Sequence, residues 1–195
     1  MTLLWIPLTI AAAFLQNVRS ALQKHLKDRL GTTGATFVRF GYGFPFALLY
    51  LAGLVAFTDL PVPQLNLRFI AIVMVGGLAQ IAATALLVSL FDKRNFAVGT
   101  TYSKTETVQA AIFGLIFLGE AVSLNAAIGI LISLAGVVAI SAARSPAGLR
   151  AIATSLTERP ALIGLASGAA FGIAAVSYRG ASLSLGGDGF LMQAA

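Results

Sequence analysis

Charge is what this sequence has least of. Only 10% of its 195 residues are Asp, Glu, Lys or Arg, 58% are hydrophobic, and mean hydropathy is +0.90. A soluble domain averages about 25% charged residues, so the polar surface needed to cover a water-facing globule is missing. Lipid is the expected solvent for much of the chain. Cysteine is absent, which excludes disulfide frameworks, thiolate metal sites and cysteine nucleophiles. His25 is the lone histidine; it stands in a basic stretch and is expected to be solvated. Ser167, in ASGAA, has no evident general base, and there is no paired acidic motif. An enzyme is therefore not expected, nor any metal site or other cofactor. A net charge of +6 would suit nucleic acid. Here, however, the cations fall in short gaps between apolar runs, which fits loops beside anionic headgroups, so no nucleic-acid partner is expected.

Apolar runs are what the chain has instead. A bilayer core about 30 Å thick needs roughly 20 mostly apolar residues to cross it. Six runs approach that length: 3–22, 35–57, 69–91, 96–118, 121–143 and 160–178. The third and fifth carry no charge over 23 residues each, about 35 Å of helix at a rise of about 1.5 Å per residue. The N-terminal run lacks a charged leader and a cleavage site followed by a soluble domain, so it reads as the first membrane helix. Pro7 falls in its first turns, where a missing N–H is tolerated. The stretch QKHLKDRLGTTG at 23–34 is expected to be a polar loop. Pro45 is expected to kink the second helix, and TDLPVPQLN at 58–66 reads as a turn. The fold class expected is an all-α integral membrane protein, multi-pass, with the lipid bilayer as partner.

Lys and Arg are biased between loops. The first, third and fifth hold Lys24, Lys27 and Arg29, then Lys93 and Arg94, then Arg144, Arg150 and Arg159; the second and fourth hold only Arg68. By the positive-inside rule, the odd-numbered loops are expected in the cytoplasm and the N-terminus outside. Internal repetition is also visible. AAAFLQNVRSAL and GAAFGIAAVSYRGASL share an AAF core, a basic residue and a small-residue tail, aligning Phe14 with Phe171. A five-helix unit that restarts after a basic loop is the pattern of internally repeated transporters. The expected organisation is a first repeat over 1–143, a basic loop over 144–159, and the start of a second over 160–195.

The organising stretch is GTTYSKTETVQAAIFGLIFLGEAVS at 99–123, expected to be a spanning helix despite Lys104, Glu106 and Gln109. Ionisable groups at such depth are costly and usually face a bundle interior or a watery cavity. On a continuous helix at about 100° per residue, Tyr102, Thr105, Glu106, Gln109 and Phe113 share one face, and Lys104 points to nearly the opposite side. Glu106 is either a proton- or solute-binding carboxylate, with Tyr102 and Gln109 as hydrogen-bonding neighbours, or a structural partner of Arg39 on the second helix. Lys104 either snorkels to the headgroups or attracts an anionic solute. Gln16, Asn17 and Gln80, near the middle of their runs, form either a polar pathway or interhelical amide links. Glu120 reads most simply as an anion near the N-terminus of the fifth helix. Gly164, Gly168 and Gly172 read as a close-packing seam on the sixth. The expected pathway residues are thus Gln16, Asn17, Arg39, Gln80, Tyr102, Lys104, Glu106 and Gln109, with no catalytic residue.

Val38-Arg39-Phe40 at the entry to the second helix, Leu118-Gly119-Glu120 ending the fourth, and the small-residue fifth helix AAIGILISLAGVVAIS give the chain its resemblance. It resembles the EamA-like transporters of the drug/metabolite transporter superfamily, ten-helix carriers made of two inverted five-helix repeats. The resemblance covers 1–143 as a first repeat and 160–195 as the start of a second. It implies a carrier in the cytoplasmic membrane of a bacterium, moving a small metabolite, amino acid or drug-like solute by alternating access and working as an exporter. The first helix lacks the membrane glutamate that the small multidrug-resistance relatives use for proton exchange, which speaks against simple proton antiport. The alternative is a non-transporting fragment or assembly partner; a homodimer would rebuild two halves.

Overall fold

The computed structural model describes residues 5–57, 64–92, 101–143 and 158–186. The DKRN loop beyond Asp92, the start of the fourth run, the basic loop to residue 157 and the tail after Gly186 lie outside the described residues. So do residues 58–63 of the TDLPVPQLN turn and the first four residues.

Among the described residues every regular element is helical. Helix α1 spans Trp5–Gly41, α2 Gly43–Phe57, α3 Leu67–Ser89, α4 Glu106–Phe113, α5 Leu124–Ala143 and α6 Arg159–Ser184. A 3₁₀ turn, Leu90–Asp92, follows α3, and a π-helical turn, Gly114–Leu118, extends α4. Among the described residues three stretches are long and apolar enough to cross a membrane: Ile6–Phe57, Leu67–Ser89 and Arg159–Ser184; Leu124–Ala139 is a shorter apolar helix.

The polar stretch at 23–34 is not a loop. Gln, Lys, Leu and Arg are good helix formers, and α1 runs through them to a single break at Gly31, whose φ of 68° and ψ of −178° are non-helical. No Cβ clash requires glycine there; the positive φ does. The break reverses the chain. Arg19 and Arg39 would stand about 30 Å apart on a straight helix, yet both line one cavity of about 440 Å³. Pro45 falls in the first turn of α2, which starts afresh at Gly43, so it breaks no ladder. The third run appears as expected, with Asn66 capping α3 by accepting the Phe69 N–H at 2.7 Å.

The fourth run is not one continuous helix among its described residues. Residues 101–103 are helical, Lys104 and Thr105 form a turn, and α4 begins at Glu106. Five polar residues in succession, Ser103 to Thr107, explain the break. The Lys104 and Thr105 N–H groups donate three residues back, to Thr101 and Tyr102 carbonyls, at 3.1 and 3.2 Å. The Thr105 hydroxyl donates to the Tyr102 carbonyl at 2.6 Å. Such side-chain bonds compete with the α-helical ladder. At its other end the helix stops at Gly119, left-handed at φ 68°, whose N–H donates to the Gly114 carbonyl.

Helix α6 organises the bundle. Its Ser167 hydroxyl donates to the Ala83 carbonyl of α3 at 2.9 Å, and Asn66 donates to the Ser184 carbonyl at 2.8 Å. A Cβ on Gly76 would meet Ser177 and the Tyr178 ring. These pairings run α3 and α6 antiparallel. The glycine seam meets α4: a Cβ on Gly168 would lie 3.0 Å from the Ser103 carbonyl oxygen, and one on Gly172 would lie 3.1 Å from the Ala110 nitrogen. Farther along, Gly180 faces Leu118, so α4 and α6 run parallel.

The largest fully buried side chains are only Leu90, Val88, Thr84, Ser103 and Ser167, while Phe57, Leu67 and Leu124 are 91%, 82% and 75% exposed. Small residues inside and large apolar ones outside is the arrangement expected where lipid gives helices no hydrophobic reason to associate and close packing does the work. Gly168→Leu is therefore expected to lower stability by about 1–3 kcal/mol through overpacking against α4. Gly129→Leu, where a Cβ meets nothing within 4 Å, is the matched control. Thermal midpoints of the two variants in detergent check this.

Candidate functional site

The polar groups of the apolar helices converge on one cavity of about 440 Å³ between α1, α3, α4 and α6. Helix α1 contributes Gln16, Arg19, Ser20 and Gln23 at i, i+3, i+4, i+7 spacing, one face of a helix, and Arg39 from beyond the Gly31 break. Gln80 comes from α3, Lys104 and Glu106 from the broken fourth run, and Phe171 and Tyr178 from α6. Gln16, Gln80 and Phe171 all lie near the middle of their helices, so the cavity reaches mid-depth.

Arg39 is the most constrained of these groups. Its Nη1 donates to the Thr84 hydroxyl at 2.8 Å, and that hydroxyl donates to the Gln80 carbonyl at 2.9 Å. The guanidinium carbon lies 5.2 Å from the Phe40 ring centroid and 6.0 Å from that of Phe171, within reach of the aromatic faces. A cation in an apolar run thus has a hydroxyl, two π-faces and an open polar cavity around it. The alternative of a direct Arg39–Glu106 link is not what forms: Arg39 takes Thr84, and Glu106 makes no ion pair among the described residues.

Five of the eight expected residues line the cavity: Gln16, Arg39, Gln80, Lys104 and Glu106. Lys104 was expected on the face opposite Glu106. The turn at 104–105 resets the helical phase, and both side chains line the same space. Glu106 then opens α4 as its first residue, where the exposed N–H groups of a helix start favour an anion.

The other three do not line it. Tyr102 is 7% exposed and packs with Ala161, Val138, Ala142 and Leu165; the turn carries it behind the cavity wall. The Gln109 amide donates to Thr105 Oγ1 at 2.7 Å and the Leu165 carbonyl at 3.5 Å, tying α4 to α6. Asn17 is one residue off the α1 stripe and exposed. Glu120 also departs from expectation: α5 starts only at Leu124, and the carboxylate instead pairs with Arg179 of α6. Arg179 Nε reaches its two oxygens at 3.0 and 3.3 Å, and Nη2 reaches Oε1 at 2.9 Å.

Arg19, Ser20, Gln23, Phe171 and Tyr178 are cavity residues the sequence reading did not single out. The polar stripe of α1 is the signal the sequence carries for them, masked because its end, Gln23, opens a polar run that resembles a loop.

Two further cavities stand out among the described residues. One, about 440 Å³, lies beside the Glu120–Arg179 pair; the other, about 490 Å³, is bounded mainly by apolar side chains such as Phe113, Phe117 and Val75. The latter is the larger, but few polar groups meet in it.

A family model described as the EamA-like transporter family matches residues 3–142. The chain belongs to this family. EamA-like transporters are part of the drug/metabolite transporter superfamily, so the chain is a multi-pass integral membrane protein of transporter type. No curated protein and no solved structure matches it. Within this EamA-like chain, Ser167 is a packing residue: its hydroxyl, fully buried, is committed to the Ala83 carbonyl. Ser167→Ala is expected to lower stability by about 0.6–1.7 kcal/mol, the range of interhelical hydrogen bonds in membranes, and to leave solute affinity unchanged. Thermal unfolding and ligand binding of the same preparation check the two halves of that statement.

Proposed function

We propose that the chain carries a small metabolite, amino acid or drug-like solute across the cytoplasmic membrane by alternating access, as an exporter, with the mid-depth cavity as its solute site. The observation that carries this reading is the meeting of Arg39, Lys104, Glu106, Gln16 and Gln80 in one space inside an otherwise apolar bundle. Ionisable groups inside membrane bundles mark solute and proton pathways, and transporter sites lie near the midplane where repeats meet.

Helix α6 is, on this reading, the first helix of the second, inverted repeat. Its course supports that: it runs antiparallel to the third span and parallel to the fourth, as a chain crossing six times requires. The four sides of the cavity then belong to both repeats, and tilting one against the other opens it to either face in turn. Glu106 is the carboxylate of the site. Gln109 and Tyr102 act on packing rather than on solute, and Asn17, exposed, lies off the cavity.

Efflux from loaded cells or vesicles tests the proposal. Charge-assisted hydrogen bonds are worth about 1.5–3 kcal/mol, so Arg39→Gln and Glu106→Gln are each expected to lower kcat/KM about tenfold or more. Ile132→Ala, on the outer face of α5 and 67% exposed, is expected to transport as the parent does. Unchanged efflux in both charge variants would remove the cavity from the pathway.

A further inference from the structure

The charges of the cavity do not balance. Among the described residues its ionisable cations are Arg19, Arg39 and Lys104, and its only carboxylate is Glu106. No side chain within it neutralises the excess: Arg39 is bonded to a neutral hydroxyl, and Glu106 pairs with none of the three. Hydrogen-bonding capacity is skewed in the same direction. The Gln23 side chain lines the cavity and is 6% exposed, and its Nε2 has no hydrogen-bond partner. A buried amide N–H without an acceptor is costly, and here it stands one helical turn from the Arg19 guanidinium on the same face of α1. A guanidinium offers five N–H donors and an ammonium three, with no acceptor among them. Among the charged groups of the space, donors therefore outnumber acceptors.

Resting on the solute-pathway reading above, we propose that the cavity selects small organic anions. Its solute carries at least one more oxyanion group, carboxylate or phosphate, than it has cationic groups. One oxyanion is held at the Arg19–Gln23–Arg39 end, where its oxygens take the orphaned amide and the guanidinium donors. Lys104 receives a second anionic group, and Glu106 accepts from a hydroxyl or ammonium where the solute has one. The occupant proposed is a water-soluble solute rather than a lipid headgroup, because the cavity extends inward to Gln16, Gln80 and Phe171 near the middle of their helices.

The test is equilibrium binding to the full chain in detergent, with five probes of similar size. Glutarate is a dianion, glutamate a zwitterion with net negative charge, glutamine a neutral zwitterion, 1,5-diaminopentane a dication, and glycerol phosphate the phosphate arm. Glutarate, glutamate or glycerol phosphate is expected to bind at least about tenfold tighter than glutamine and diaminopentane, the step that one charge-assisted hydrogen bond supplies. The dianions distinguish carboxylate from phosphate. Gln23→Leu is expected to weaken the preferred anion about tenfold. Gln23→Glu, nearly isosteric, is expected to abolish the anion preference while unfolding at a similar temperature.

Equal or tighter binding of glutamine or diaminopentane, or anion affinities unmoved in both Gln23 variants, overturns the proposal. If those two solutes bind and are lost in Arg39→Gln, the pathway reading stands and only anion selection falls. If none of the five binds, anion selection falls; if Arg39→Gln and Glu106→Gln also leave efflux unchanged, the pathway reading falls with it.

Discussion

An arginine dissolved in oil needs either water or a set of partners, because an unpaired charge at depth costs several kcal/mol on any scale. Arg39 meets this requirement by drawing three helices together. Thr84 on α3 takes one N–H, Phe171 on α6 offers a ring face, and the remaining side of the guanidinium opens on a space that also holds Arg19, Lys104 and Glu106. The same requirement applied to each of the other polar groups has the same solution. A bundle with so few charges solvates them most economically in one shared cavity.

Two local features make that sharing geometrically feasible. The reversal at Gly31 brings the far half of α1 back alongside the near half, so that Arg39 and Arg19 line one wall. The polar run from Ser103 to Thr107 interrupts the fourth span and turns Lys104 into the space that Glu106 also lines. Helix α6 then closes the cavity, since Gly168 and Gly172 let it approach backbone to backbone against the broken span. Its small-residue face is what keeps the broken helix in register without a large apolar core.

The helical class and the membrane environment are legible in the composition, because oil as solvent leaves a signature in every segment. Gln16, Arg39, Gln80 and Glu106 are legible for the complementary reason: a polar residue inside an apolar run must be accommodated somewhere. Direction was harder to read. The placement of Lys104, Tyr102 and Gln109 depended on helical phase, and phase was lost at a turn held by the Thr105 hydroxyl and two backbone bonds that no hydropathy pattern records. Gln23 is masked because a run of polar residues between apolar segments reads as solvated loop. Its burial depends on α1 continuing to Leu30 and on what packs there, both tertiary facts. The glycine spacing of α6 announced a seam, but not that α4 would fill it.

A solute pathway requires that the mid-depth polar space admit water-soluble molecules while the faces beside it meet lipid. The chain has no cysteine, so a single introduced thiol reports without background. Gln80→Cys lines the cavity, whereas Leu78→Cys lies at nearly the same depth on the same helix, on a face where the leucine is 64% exposed. Rates of modification by a charged, lipid-insoluble thiol reagent, applied to both sides of the membrane, compare the two directly. Rapid labelling at position 80 with little at 78 is the result expected. Labelling at 78 as fast as at 80, or none at either, would contradict the account.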